Sequence, residues 1–321
     1  MTEWTRPTTD DAGTDEAVRE RARELLMAVV EPAVFGPAEP LAVSAHHLPG
    51  EPISPAEALR RPFEPFAVGD RWGPRWGTTW FRLQGRIPVE WSGREVALRL
   101  GATRGATTVA GGEFLIFSVV DGRPVPLVGL SFQQAAASLT ASAAGGETVD
   151  LYVEAAANPT TPEDRMAGFD WPELRPDFGG EPGFVLSRAE LAVRRPEVRA
   201  LALDLRLAIG LAAHLDAGSE RAREAHAGLA AACAAVDPSD VAGSAASART
   251  ALAPVLVPRA DAATKGHGPR ARVTAVGHAH IDTAWLWPLR ETIRKCARTF
   301  ATAVALMEDF PEYRFVCSAA Q

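Results

Sequence analysis

The sequence predicts a multidomain α and β chain: an N-terminal β-sandwich of the galactose-binding-like or jelly-roll type, a helical bridge, then the first β-α-β unit of an α/β barrel-like domain. Three observations carry this reading. Between residues 79 and 193 apolar residues fall in short extended runs spaced by turn signals, the pattern of a sandwich. After Pro196 the apolar period switches to that of a helix. Near the end, a β-branched run, a long amphipathic stretch and a second apolar run follow in the order strand, helix, strand, which the right-handed crossover rule makes parallel.

Taken in order, residues 1–70 form a lead-in. Its first 13 residues have the Thr, Asp and Gly content of a loose tail. A helix follows over 16–30, capped by Thr14 or Asp15, with Val18, Ala22, Leu25, Leu26 and Val29 on one face and Pro32 as its stop. Pro and Gly then punctuate the chain without periodicity, and His46 and His47 stand there with no acidic partner.

The sandwich is read over 71–195, with strands at 79–83, 95–100, 114–120, 125–128, 149–155 and 184–193. Asp121-Gly122 is a hairpin signal, because both residues tolerate positive φ. Val149, Leu151, Val153 and Ala155 alternate with Asp150, Tyr152 and Glu154, which predicts one wet face. Trp72, Trp76, Trp80 and Trp91 could form a carbohydrate platform, but large aromatics in a β domain mostly fill core, and core is the expectation here. Residues 158–183 read as a long loop.

Residues 196–253 form the bridge. Leu201, Leu205, Ala208, Ile209 and Ala212 line one helix, 220–235 is an Ala-rich second, and 240–252 is a weaker third. Residues 254–270, holding His267, are a linker, and 271–321 begin the last domain. There 272–276 reads as a buried strand and a helix starts at Pro288. Its apolar residues Leu289, Ile293, Cys296, Phe300, Val304 and Met307 are expected inward, with Arg290, Arg294, Lys295 and Arg298 solvated. Residues 313–317 are the second strand.

The chemistry-bearing stretch is ARVTAVGHAHIDTAWLWPLR, residues 271–290. If extension continues past Gly277, His278, His280 and Asp282 project to one side. Imidazole nitrogen with carboxylate oxygen suits a borderline divalent ion, zinc first, although cobalt and manganese accept the same donors. His280 and Asp282 are the candidate ligands. His278 is the candidate for orienting a ligand from behind. Trp285, three residues past Asp282, supplies the aromatic plate on which an apolar pyranose face rests.

Charge and composition narrow the classes. A net charge of -7 and a pI near 5.6 with no basic stripe argue against nucleic acid and anionic membrane as partners. At 47% hydrophobic and 23% charged, the 321 residues are ordinary globular material for about two domains. The acidic start lacks the basic and apolar regions of a secretory signal, and no apolar run reaches membrane-spanning length. Cys233, Cys296 and Cys317 make no framework, so a cytoplasmic setting is expected. Cys296 and Cys317 are read as small buried thiols.

GHAHIDTAWLWPLRETIRKCARTF resembles the opening of the catalytic domain of glycoside hydrolase family 38, the retaining α-mannosidases, in its cytosolic and bacterial branch. DRWGPRWGTTWFRLQGRIPVEWSGREVALRL is similar to the β-rich region that precedes that domain. The resemblance implies that His280 and Asp282 bind one divalent ion and that Trp285 packs against mannose. It implies α-mannoside oligosaccharides as substrates, and it is compatible with a homo-oligomer. It also implies that the family's other metal ligands, its aspartate nucleophile and its acid/base carboxylate lie beyond Gln321, so these residues would hold no catalytic carboxylate of their own and would hydrolyse little or nothing alone. Two other classes fit the residues: another metal-dependent hydrolase, since H-x-H-x-D opens dinuclear sites too, and a non-catalytic carbohydrate-binding or scaffolding module built on the sandwich. Metallo-β-lactamase-like sites usually place a histidine where Thr283 stands.

Overall fold

The structure is a computed structural model, and it describes residues 14–48, 50–104, 112–131, 135–158, 182–256, 274–283 and 287–317. The chain divides into two compact units, one of residues 1–37 and 193–273, the other of 38–192 and 274–321.

The first unit is helical. Helix α1 (Asp15–Leu25) is capped by Thr14, whose Oγ1 accepts from the Ala17 N–H at 3.3 Å, with Asp15 and Glu16 at the positive end of its dipole. The expected stop at Pro32 does not occur there. A π turn over Leu26–Val30 resets the hydrogen-bond pattern, so Pro32 falls in the first turn of a new helical segment, Glu31–Ala33, where its missing N–H is no loss. Helices α2 (Pro196–His214), α3 (Glu220–Ala235) and α4 (Val241–Leu256) complete the unit, and α4 carries Pro254 inside it, past the expected linker boundary.

Leu25, Leu26 and Val30 share one core with Leu201, Leu205, Ile209, Leu229 and Leu252. The lead-in helix and the bridge are therefore one folding unit, not the separate segments read from composition. Alanine and glycine let helices α3 and α4 approach closely: a Cβ on Gly228 would stand 2.4 Å from Val255 Cγ2.

The second unit is a two-sheet sandwich with a helix on one outer face. Its strands are β1 (Phe35–Pro40), β2 (Ala42–Leu48), β3 (Glu64–Phe66), β4 (Arg71–Trp72), β5 (Thr78–Arg86), β6 (Glu95–Arg104), β7 (Glu113–Val120), β8 (Arg123–Leu130), β9 (Ala136–Thr140), β10 (Thr148–Ala156) and β11 (Phe184–Arg194). One sheet runs β3-β2-β5-β10-β7-β8; the other runs β1-β11-β6-β9, with β4 beside β11. The jelly-roll expectation holds at this level.

Residues 35–48, expected to be irregular, are strands, because β2 lies antiparallel to β5 and completes the ladder on the side away from β10. His47 is exposed on β2, but its Nδ1 is tucked 3.0 Å from the buried Thr79 Oγ1. Burial and the neighbouring His46 push its pKa down. The Asp121-Gly122 hairpin is formed, both residues at positive φ (51° and 73°), joining β7 to β8.

All four early tryptophans are core. Trp72, Trp76, Trp80 and Trp91 are each at most 5% exposed, and the Trp72 ring sits 5.7 Å from Phe81 and 5.2 Å from Phe184. The expected wet face of β10 is a correction: Tyr152 and Glu154 are both 7% exposed. Tyr152 packs with Leu48, Trp80, Leu115 and Phe117, with Leu59, Phe63 and Ala301 alongside, so a further layer covers that face.

Candidate metal half-site and its support

That layer is the last piece of the chain. Strand β12 (Gly277–Ala279) pairs in parallel with β13 (Phe315–Cys317), and helix α5 (Leu289–Asp309) connects them. The first strand is thus shifted from the expected 272–276: Thr274 to Val276 are not in a strand, and 272 and 273 lie outside the described residues. Gly277 sits where any side chain would collide, since its Cβ would stand 2.1 Å from the Tyr313 hydroxyl, and its N–H donates to Arg314 O at 2.8 Å.

The paired strand ends at Ala279. His280 Nε2 and Asp282 Oδ1 come together at 3.0 Å, the two side chains 70% and 41% exposed, while the intervening Ile281 is buried and anchors the loop. Two ligands of one tetrahedral ion with bonds of ~2.0–2.1 Å stand about 3.3 Å apart, so the pair has the spacing and the donor types for a shared divalent cation. Among the described residues no group of three or more His, Cys, Asp and Glu gathers in a metal-holding cluster. His278 does not make the pair a triad. It lines a hollow of about 290 Å³ with Glu113, Lys295, Arg298 and Tyr313. Trp285 lies outside the described residues.

Helix α5 reverses the expected orientation. Arg290, Glu291, Thr292, Arg294 and Arg298 are buried, whereas Leu289, Ile293 and Val304 are 59%, 67% and 55% exposed. The physical reason is a polar surface on the sandwich that the helix matches. Glu291, 1% exposed, accepts from Arg294 Nε at 2.9 Å, from Asn158 Nδ2 at 2.7 Å and from Arg298 Nη2. Arg298 Nη2 also donates to Glu113 of β7 at 2.6 Å, and Lys295 Nζ lies 3.6 Å from the same carboxylate.

Arg294 Nη1 reaches Thr78 Oγ1 at 2.6 Å, and Arg290 Nε and Arg294 Nη2 both donate to Trp76 O at 3.3 Å. Trp76 holds left-handed backbone, φ 61°, uncommon for so large a residue, and it turns its carbonyl toward these two guanidiniums. Burial raises the pKa of Glu154 although Arg294 and Arg298 oppose it. Burial alone would lower Arg298, but Glu291 and Glu113 outweigh it and raise the group.

These residues were missed as site support. The signal was present in the mixed charges at 291, 294, 295 and 298, spaced for one helix face, but an ion stripe on a helix usually faces water. The cysteine expectation also needs correction: Cys296 is half-buried and Cys317 exposed, since among the described residues β13 has only β12 beside it. Only Cys233 is fully enclosed, and burial pushes its thiol up to about 11.

Comparison with known proteins accounts for both parts of the second unit. Residues 39–192 match the family model described as alpha-mannosidase, jelly roll domain, and residues 270–321 match glycosyl hydrolases family 38 N-terminal domain. Human alpha-mannosidase 2C1 is 37% identical over 90% of the chain and 26% of its own length. The mouse alpha-mannosidase 2C1 is 36% identical over 83% and 24%, and alpha-mannosidase G of Dictyostelium discoideum 25% over 84% and 23%. The chain spans about a quarter of the length of these curated relatives. Jelly roll followed by a family 38 match, in a chain aligned to such relatives over most of its residues, places it in glycosyl hydrolase family 38.

Proposed function

We propose that this chain serves a metal-dependent α-mannosidase that removes terminal α-mannosyl residues from oligosaccharides with retention. The observation that carries the reading is the His280–Asp282 pair, 3.0 Å apart at the carboxyl end of β12, inside a segment matched to the family 38 N-terminal domain. Names of the relatives supply the substrate class.

His280 and Asp282 would hold one divalent ion, zinc by donor type, with further ligands from residues after Gln321. When bound, such an ion polarises sugar hydroxyls as a Lewis acid. The chain's own residues do the rest of the local work. Asp282 supplies negative charge to balance the cation, His280 supplies a neutral nitrogen donor, and Trp285 offers an apolar plate to the pyranose face. The nucleophile and the acid/base carboxylate of a retaining glycosidase are expected after residue 321, as is the remainder of an α/β barrel-like domain of which the β12-α5-β13 crossover would be the first unit.

The burial of Trp72, Trp76, Trp80 and Trp91 leaves those four no face for a sugar, which favours the mannosidase over a carbohydrate-binding sandwich. A reducing, cytoplasmic setting suits three cysteines of which none is in a disulfide, and no helix of the described residues is long and apolar enough to cross a membrane.

The test is hydrolysis of p-nitrophenyl α-mannoside by the full-length gene product with and without a chelator. Chelator-sensitive release that His280→Ala abolishes is expected. Turnover indifferent to both treatments would overturn the metal assignment.

A further inference from the structure

We infer that Thr292, backed by Glu291, is a positioning residue for the His280–Asp282 pair, and that the sandwich acts on the site through it. The inference rests on the reading that this pair holds a metal ion, and it adds what sets the pair's geometry.

Thr292 is 4% exposed and touches both ends of the loop after Asp282. Its Oγ1 donates to Thr283 O at 2.6 Å, fixing the carbonyl of the residue directly after the ligand residue, and accepts from Trp287 Nε1 at 2.9 Å. One hydroxyl thereby links residue 283 to residue 287. A hydroxyl can fill both roles at once because it has one proton to give and lone pairs to accept. Lys295 adds a cation-π contact to the same indole, its Nζ 5.1 Å from the ring centre of Trp287.

What holds Thr292 still is its neighbour. Glu291 is bound by Arg294 and Arg298 on its own helix and by Asn158 at the end of β10, and Arg298 continues to Glu113 on β7. Arg294 extends the hold to Thr78 Oγ1 on β5 and to the Trp76 carbonyl. The first turns of α5 are therefore tied to three sandwich strands or their ends. A chain of direct contacts runs from β5, β7 and β10 to Glu291, to Thr292, to Thr283, which follows Asp282. Outer partners of metal ligands typically contribute 10–100-fold in affinity by fixing ligand orientation.

The experiment compares cobalt binding by the full-length polypeptide and three variants, using chelator competition and the visible absorption of the bound ion. Thr292→Val keeps the volume and removes the hydroxyl; it should weaken cobalt by roughly 10-fold or more and alter the absorption, while Thr292→Ser restores both. Trp287→Phe removes the indole donor while leaving an aromatic ring beside Lys295, and stands in if Thr292→Val fails to fold; a shifted absorption with weaker binding is expected there too. Wild-type affinity and spectrum in Thr292→Val, or equal losses in the Val and Ser variants, would overturn the positioning role. A wild-type protein that takes up no cobalt would overturn the metal reading itself, and the positioning role with it. That outcome is separate from the others, because it appears before any substitution is made.

Discussion

Residues in this chain are tuned mainly by burial. Cys233 lies in the helical core with its thiol pushed up to about 11, so at pH 8 it is protonated and enclosed. Thiol titration of the native chain at that pH should find Cys317 reacting quickly and Cys233 only after denaturation. Glu154 is the opposite kind of case, a carboxyl whose charged form burial disfavours. Its folded pKa lies above the ordinary 4.5, so the native state binds its proton more tightly than the unfolded chain does. The stability this contributes is present below that ordinary value and is lost as pH rises through the folded value. Glu154→Gln should accordingly raise the melting temperature at pH 7 and lose that advantage below about pH 4.5, measured by thermal unfolding across the range. Glu291 differs from Glu154 because two guanidiniums and an amide satisfy it directly. Removing that charge strands its partners in the interior, and Glu291→Gln should cost about 3–5 kcal/mol in chemical denaturation.

At the scale of elements, the sequence was most legible where local geometry decides the outcome. Asp121-Gly122 names its own turn because few residues accept positive φ, and the strands near it follow in register. Thr14 marks the start of α1 for a similar reason, its side chain replacing a missing backbone partner. What could not be read was which surface each element faces. Helix α5 has a clean apolar stripe, and the usual rule sends that stripe inward. The sandwich instead offers Glu113, Asn158 and the Trp76 carbonyl, groups distant in sequence that only the fold brings together, and they draw the charged side in. The same event buries the outer residues of β10, so one wrong face became two. In the candidate site, His280 and Asp282 were legible from spacing, whereas Thr292 was not, since a threonine in a helix carries no sign of the carbonyl it will reach. Because Ile293 is 67% exposed in the 321-residue chain, Ile293→Asp should change its stability by less than about 0.5 kcal/mol in urea unfolding. A loss of several kcal/mol would show that this stripe is covered in solution.

For the molecule as a whole, the distribution of functions follows from where polar chemistry is affordable. The helical unit is closed around alanine, leucine and valine, and the tryptophans of the sandwich are spent on its core. Among the described residues, only the loop after β12 presents imidazole and carboxylate together in the open, 70% and 41% exposed, on a strand that is itself backed by an ion-paired helix. Two donors are fewer than the three protein ligands of an open catalytic zinc site, and the described residues add no third to form a cluster. The 321-residue chain should therefore release cobalt or zinc on gel filtration and leave p-nitrophenyl α-mannoside untouched. The full-length protein should retain about one ion per chain and turn the substrate over. Metal content by atomic absorption after filtration separates the two. Stoichiometric ion held by the short chain would mean that residues up to Gln321 complete the coordination, and His278 would be the first to substitute, since it alone of the remaining histidines lies in β12 beside the pair.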